Sequence, residues 1–199
     1  DAAFRSELHV PLPKCGRGPI HVRCYNRAMS ASHAPVAVYP GSFDPFHVGH
    51  VAIVERATRI FPRVVVGILL NAGKDALFSP VERADMVREI YADNPIVEVR
   101  SFSGLLVNFL QEIDATIIIR GMRAVSDFEY EFQMALMNRH LSARVETVFL
   151  MPKEEYSYLS SRLVKEVFRL GGNLEGLVPP SVLARMTARL ARRAKGEED

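Results

Sequence analysis

A chain of 199 residues with 48% hydrophobic and 24% charged side chains is the size of one domain and has the apolar material for a sizeable core. A formal charge of +2 gives no support to a bulk polyanion binder, so no nucleic-acid partner is expected; VVVGILL is strand-sized, so no membrane segment is expected either. Cys15 and Cys24 match neither a zinc spacing nor a disulfide framework, which makes a reducing cytoplasm the expected setting.

Residues 1–35 hold Pro11, Pro13, Pro19 and Pro35 and the basic side chains Arg5, Lys14, Arg17, Arg23 and Arg27, with no apolar periodicity. They read as an N-terminal tail without chemistry, disordered or left from expression or from a processed leader. From there apolar runs alternate with helical periodicity. VAVY (36–39) is a short buried strand, followed by a helix over 49–61 with Ile53, Ala57, Ile60 and Phe61 on one face. RVVVGILL (63–70) is the second strand. Ser79-Pro80-Val81-Glu82 is a capping box that opens a helix over 80–92. IVEVRSF (96–102) is the third strand, and Ser103 is placed to cap a helix over 104–113. TIIIRG (116–121) is the fourth strand and precedes a helix over 127–141. VETVFLM (145–151) is the fifth, before a helix over 162–170 that Gly171-Gly172 stops. Pro179-Pro180 opens a last helix with an Arg-rich end; the domain is expected to span 36–191, with a charged tail over 192–199.

Five strand–helix alternations predict a single α/β domain, a doubly wound five-stranded parallel sheet covered on both faces. Ligands of such folds sit at the carboxyl ends of the strands where the strand order reverses. That singles out the stretches 40–50, 71–78 and 120–131, each of which follows a strand.

The first of these holds PGSFDPFHVGH, with Gly41 and Gly49 permitting close backbone approach and a helix N-terminus directly after. It is neither a dinucleotide-binding glycine loop nor a Walker A loop. Three readings of His47 and His50 compete: a metal pair, exposed turn histidines, or a phosphate site. The metal reading is weak, because no third ligand lies nearby in sequence.

GSFDPFHVGH carries the H-x-G-H signature of the nucleotidylyltransferase superfamily. IIIRGMRAVSDFEYEFQMALMNRHL and EYSYLSSRLVKEV bring the chain closer still: from about residue 36 to residue 190 it resembles the bacterial phosphopantetheine adenylyltransferase family. The resemblance implies a Rossmann-like fold, and transfer of an adenylyl group from ATP to 4′-phosphopantetheine to give dephospho-coenzyme A and pyrophosphate. It also implies Mg²⁺ on the ATP phosphates rather than on protein ligands, a homohexamer, and coenzyme A as feedback inhibitor.

Carried over residue by residue, the resemblance makes His50 the contact to the α-phosphate. Lys74 and Arg120 become the cations on the acceptor phosphate, Ser42 a phosphate contact, and Leu106 a backbone contact to the pantetheine arm. The nucleotide would be met by Ser42, Phe43, His50, Gly121, Met122, Arg123 and Glu131, and by the closing loop Tyr156, Ser157, Tyr158, Leu159, Ser160, Ser161 and Arg162. His47 receives no role and stays a turn residue. Arg162 departs from the family's serine triplet, and Gly104 stands where some members carry an acid. Two other readings remain: the same fold with another acceptor, such as nicotinamide mononucleotide or glycerol phosphate, and a catalytically silent nucleotide- or RNA-binding relative.

Overall fold

The computed structural model describes residues 35–70, 76–123 and 125–194. The tail expected over 1–35, save its last residue, and the candidate Lys74 lie outside the described residues.

Strands buried on both faces read as near-continuous apolar runs, and the first two do, apart from Arg63 at the start of the second. β1 (Val36–Gly41) turns Ala37 and Tyr39 to one side of the sheet and Val36 and Val38 to the other. β2 (Arg63–Leu69) divides Val64, Val66 and Ile68 from Val65 in the same way. With β3 (Val97–Phe102), β4 (Ile117–Gly121) and β5 (Glu146–Leu150) they form one parallel sheet in the order β3-β2-β1-β4-β5. α1 (Val48–Thr58) and α2 (Pro80–Ile90) cover one face through Ile53, Val54, Ala57, Ala84 and Val87. α3 (Leu106–Glu112) covers the other through Phe109 and Leu110. α5 (Ser161–Arg169) and α6 (Pro180–Ala194) close a third cluster against α2, built on Met86, Phe168, Val182 and Met186. α4 (Val125–Leu141) follows β4.

The strand order reverses between β1 and β4, and there the ladder stops early. β1 and β4 are paired only at Ala37↔Ile117 and Val38↔Ile118, whereas β1 stays in register with β2 through Gly41. Past Val38 the two central strands part, and their carboxyl ends border a cleft.

The expected alternation of elements is present, with differences at their ends. β1 runs on through Pro40 to Gly41, because the β2 partner continues. α1 ends at Thr58, so Ile60 leaves the helical face and is 57% exposed while Phe61 turns back into the core. Ser103 does not cap α3: Gly104 adopts a left-handed turn (φ 76°) and the cap position passes to Leu105, with no side-chain bond. The Ser79–Glu82 capping box at α2 is present as read, with Ser79 N–H donating to Glu82 Oε2 at 2.7 Å. α4 begins at Val125, two residues before the expected start, and α6 runs to Ala194.

Candidate active site

The loop after β1 delivers His50 into the cleft and surrounds it with rings. His47 is the N-cap of α1, with extended backbone, and Gly49 lets its imidazole lie flat over the first turn: a Cβ on Gly49 would sit 3.0 Å from the His47 ring. The two histidines stack with centroids 3.6 Å apart. Phe43, Phe46 and Tyr39 complete the box at centroid distances of 5.0, 5.2 and 6.2 Å from His50. Phe43 reaches its place through a left-handed backbone (φ 50°), rare for a bulky residue and a form of strain that concentrates at functional sites.

The turn reading of His47 as an exposed side chain is therefore corrected. His47 is 3% exposed, and its Nδ1 has no hydrogen-bond partner among the described residues. Burial, and then the Arg123 charge, lower its pKa to about 4. His50 is held well below its ordinary value as well, first by burial and then by His47, Arg123 and Arg120. Both rings are neutral near pH 7. The His47 backbone N–H donates to His50 Nδ1 at 3.2 Å. A neutral imidazole that accepts at Nδ1 carries its proton on Nε2, so His50 can offer an N–H donor there.

This pair makes folding pH-dependent. The folded pKa of His47 lies below the 6.5 of an ordinary imidazole. Below that value the unfolded chain takes up a proton that the folded chain refuses, so stability is full above pH 6.5 and declines toward pH 4. Thermal melts across that window are expected to fall less steeply for His47→Asn than for the wild type, asparagine keeping the helix cap. Parallel profiles would contradict the assignment.

β4 supplies the cations. Arg120, at its end, meets Glu131 of α4 in a two-point pair, Nε to Oε2 at 2.6 Å and Nη2 to Oε1 at 2.5 Å, and its Nη1 donates to the Pro40 carbonyl at 3.0 Å. Burial works against its charge, but the Glu131 hydrogen bonds and charge outweigh it and raise its pKa. Arg123 is held by Asp127 (Nε to Oδ2 2.9 Å) and donates from Nη1 to the Leu159 carbonyl at 2.6 Å. Ser160 caps α5, its Oγ accepting from Leu163 N–H at 3.1 Å, and Ser161 Oγ donates to the Pro45 carbonyl at 2.9 Å.

The resulting cleft of about 520 Å³ falls in the roughly 300–1,000 Å³ range of ligand pockets. It gathers Ser42, Phe43, His50, Arg120, Gly121, Arg123, Glu131, Tyr156, Ser160 and Ser161 from the sequence-derived set. Met122, Ser157, Tyr158 and Leu159 do not line it, although the Leu159 carbonyl fixes Arg123. Leu106 opens α3 and packs against the core on the opposite face of the sheet from α1. Arg162 does not line the cleft but faces an adjoining cavity that shares Ser42 and Ser161 with the first. Sequence reasoning missed Tyr39, His47, Asp127 and Tyr130 as lining residues. Asp127, Tyr130 and Glu131 are spaced as one helix face, which was a readable sign.

A cytidylyltransferase-like family matches residues 38–167. A phosphopantetheine adenylyltransferase of Clostridium tetani is 54% identical over 148 residues, 74% of this chain and 92% of the relative. One from Geotalea daltonii is 50% identical over 157 residues, 79% of this chain and 98% of the relative, and one from Moorella thermoacetica 55% over 147 residues, with 74% and 92% covered. Among solved structures, a protein from Vibrio parahaemolyticus described provisionally as a nicotinate-nucleotide adenylyltransferase superimposes with a TM-score of 0.57. At 17% identity over 83% of this chain and 97% of that one, it is similar in fold alone.

Proposed function

The chain belongs to the phosphopantetheine adenylyltransferase family, and we propose that its cleft transfers the adenylyl group of ATP to 4′-phosphopantetheine, releasing dephospho-coenzyme A and pyrophosphate. What carries the assignment is a neutral imidazole, locked by a backbone donor, at a helix N-terminus in a cleft that two arginines also line. An oxygen of the acceptor phosphate bonds to the α-phosphorus as the bond from that phosphorus to the bridging oxygen breaks, and the electron pair leaves with pyrophosphate. The acceptor is already ionised at neutral pH, so neither a general base nor a protein nucleophile is needed. Catalysis is then positioning and electrostatic stabilisation.

His50 donates from Nε2 to the α-phosphate as charge builds there, and the positive end of α1 acts on the same group. Arg120 exchanges part of its Glu131 pairing for the acceptor phosphate, with Ser42 and Lys74 as further contacts. Arg123, Ser160 and Ser161 face the nucleotide phosphates. Mg²⁺ would enter on those phosphates and neutralise part of their charge, since the cleft carboxylates Asp127 and Glu131 are already engaged by arginines. Coenzyme A, which shares the product's pantetheine and adenylyl groups, fits the same cleft as a feedback inhibitor. A homohexamer is supported by α4, which leaves Phe128, Phe132, Leu136, Met137 and Leu141 exposed. Among the described residues no helix is long and apolar enough to cross a membrane, in keeping with a cytoplasmic site of action.

The test is pyrophosphate release from ATP and Mg²⁺ with each candidate acceptor in turn. 4′-Phosphopantetheine is the expected substrate; turnover with nicotinamide mononucleotide in its place would overturn the assignment. Arg120→Ala is expected to weaken 4′-phosphopantetheine binding by at least about tenfold, the scale of a charged hydrogen bond, while pantetheine lacking the phosphate binds as before. Equal losses for both ligands in a calorimetric titration would remove Arg120 from the phosphate.

A further inference from the structure

Arg83 of α2 is 0% exposed, an expensive position for a guanidinium, and no step of the transfer uses it. Its Nε donates to the Ser79 carbonyl at 3.4 Å, folding the side chain back on the first turn of α2. Its Nη1 donates to the Ser42 carbonyl at 2.5 Å. Nη2 has no partner among the described residues, so a complete set of bonds does not offset the burial. What the side chain does supply is a charged donor on one backbone carbonyl of the loop after β1.

That carbonyl belongs to the peptide joining Ser42 to Phe43, where the backbone is strained. Phe43 has φ 50°, and its ring folds back over Gly41, so closely that a Cβ there would stand 2.8 Å from Phe43 Cζ. A trans peptide is planar, with its C=O and N–H on opposite sides. With the Ser42 oxygen held toward α2, the Phe43 N–H points away from α2, and it donates to no acceptor among the described residues. A half-turn of this one peptide plane would return Phe43 to negative φ and reverse the N–H. Releasing the strain and losing the donor are thus the same motion, and the Arg83 bond opposes it.

We infer that Arg83 is a positioning residue: by gripping the Ser42 carbonyl it keeps the left-handed turn at Phe43 and aims the Phe43 N–H into the cleft, where a phosphate of ATP accepts from it. Ser42 and Phe43 line the cleft and Arg83 does not. Arg83 therefore touches no ligand there and acts through a single carbonyl. A lysine ammonium can donate to the same oxygen, whereas an apolar side chain of like length leaves it without that donor. The inference rests on the reading that the cleft takes ATP.

Isothermal titrations of ATP and of adenosine into the full chain test it in Arg83→Met and Arg83→Lys. Arg83→Met is expected to weaken ATP binding by about tenfold or more, the scale of a hydrogen bond to a charged group. Adenosine, which brings no phosphate to the Phe43 N–H, should bind as to the wild type, and Arg83→Lys should recover part of the ATP affinity. ATP binding unmoved by Arg83→Met, or equal losses for both ligands as a loosened fold would give, overturns the inference. Selective ¹⁵N-phenylalanine labelling follows the Phe43 amide in the wild type itself, its signal identified by its absence from Phe43→Leu. The amide proton is expected to move downfield as ATP saturates the cleft; a signal that stays in place sinks the inference, whether or not Arg83→Met folds by circular dichroism. Should the wild type take up no ATP, the reading of the cleft falls as well. Where it binds ATP but amide and variants are indifferent, the role of Arg83 alone is lost.

Discussion

His50→Ala is expected to lower kcat by about a hundred- to a thousandfold, or roughly 2.7–4 kcal/mol, the loss typical of removing one donor aimed at developing charge. ATP affinity should change far less. In the proposed role His50 would contact the ground-state α-phosphate weakly, and its N–H would gain its value only as negative charge accumulates. Two features of the site make the effect large. The Tyr39, Phe43, Phe46 and His47 rings keep water from substituting for the lost imidazole. The His47 backbone N–H has already fixed the tautomer, so no reorganisation is needed at the moment of reaction. Pre-steady-state turnover and equilibrium ATP binding, measured on the same variant, separate the two effects. Equal losses in both would mean that His50 serves only to bind.

Asp44→Ala is expected to destabilise the fold by about 3–5 kcal/mol, the range for breaking a buried ion pair by removing one partner. Asp44 is 4% exposed and accepts from two backbone N–H groups as well as the Lys165 ammonium. Its removal leaves the two backbone donors without this acceptor, takes one partner from Lys165, and unties the loop after β1 from the chain leading into α2 and from α5. Lys165→Met should cost less, because Asp44 keeps Leu77 and Phe78. Urea unfolding reads both, and a loss of under about 1 kcal/mol for Asp44→Ala, as for a surface ion pair, would refute this account.

The sheet was legible because its aliphatic runs are separated by strong punctuation: the Ser79–Glu82 box, Gly171-Gly172 and Pro179-Pro180 each stop or start an element where read. Legibility failed where one residue's conformation decided the matter. Gly104 took a left-handed turn and moved the start of α3 past Ser103, and Ile60 fell just beyond the last turn of α1. Within the site, the resemblance carried by GSFDPFHVGH and EYSYLSSRLVKEV pointed to His50, Ser160 and Ser161. Partnerships across the fold were not readable: Arg120 and Glu131 are eleven residues apart, and nothing local says that they pair. His47 looked like any turn histidine until three aromatic rings closed around its neighbour. Arg83 lies within a helix whose sequence is largely polar, so its burial shows only once α2 meets the loop after β1.

The early parting of β1 and β4 leaves the cleft end of the sheet without ladder pairing between its two central strands. Among the described residues no ladder pair joins the two central strands beyond Val38 and Ile118, and the Arg120 side chain reaches across to the Pro40 carbonyl. A ligand touching Gly41 on one side and Gly121 on the other acts as a splint, replacing backbone cross-links with contacts of its own. Occupancy then adds to cohesion in proportion to its logarithm, about 2.7 kcal/mol at a hundredfold excess over Kd. Substrate supply thereby tunes the protein's resistance to unfolding and to proteolysis, and a cell rich in ATP would preserve more of this enzyme than a starved one.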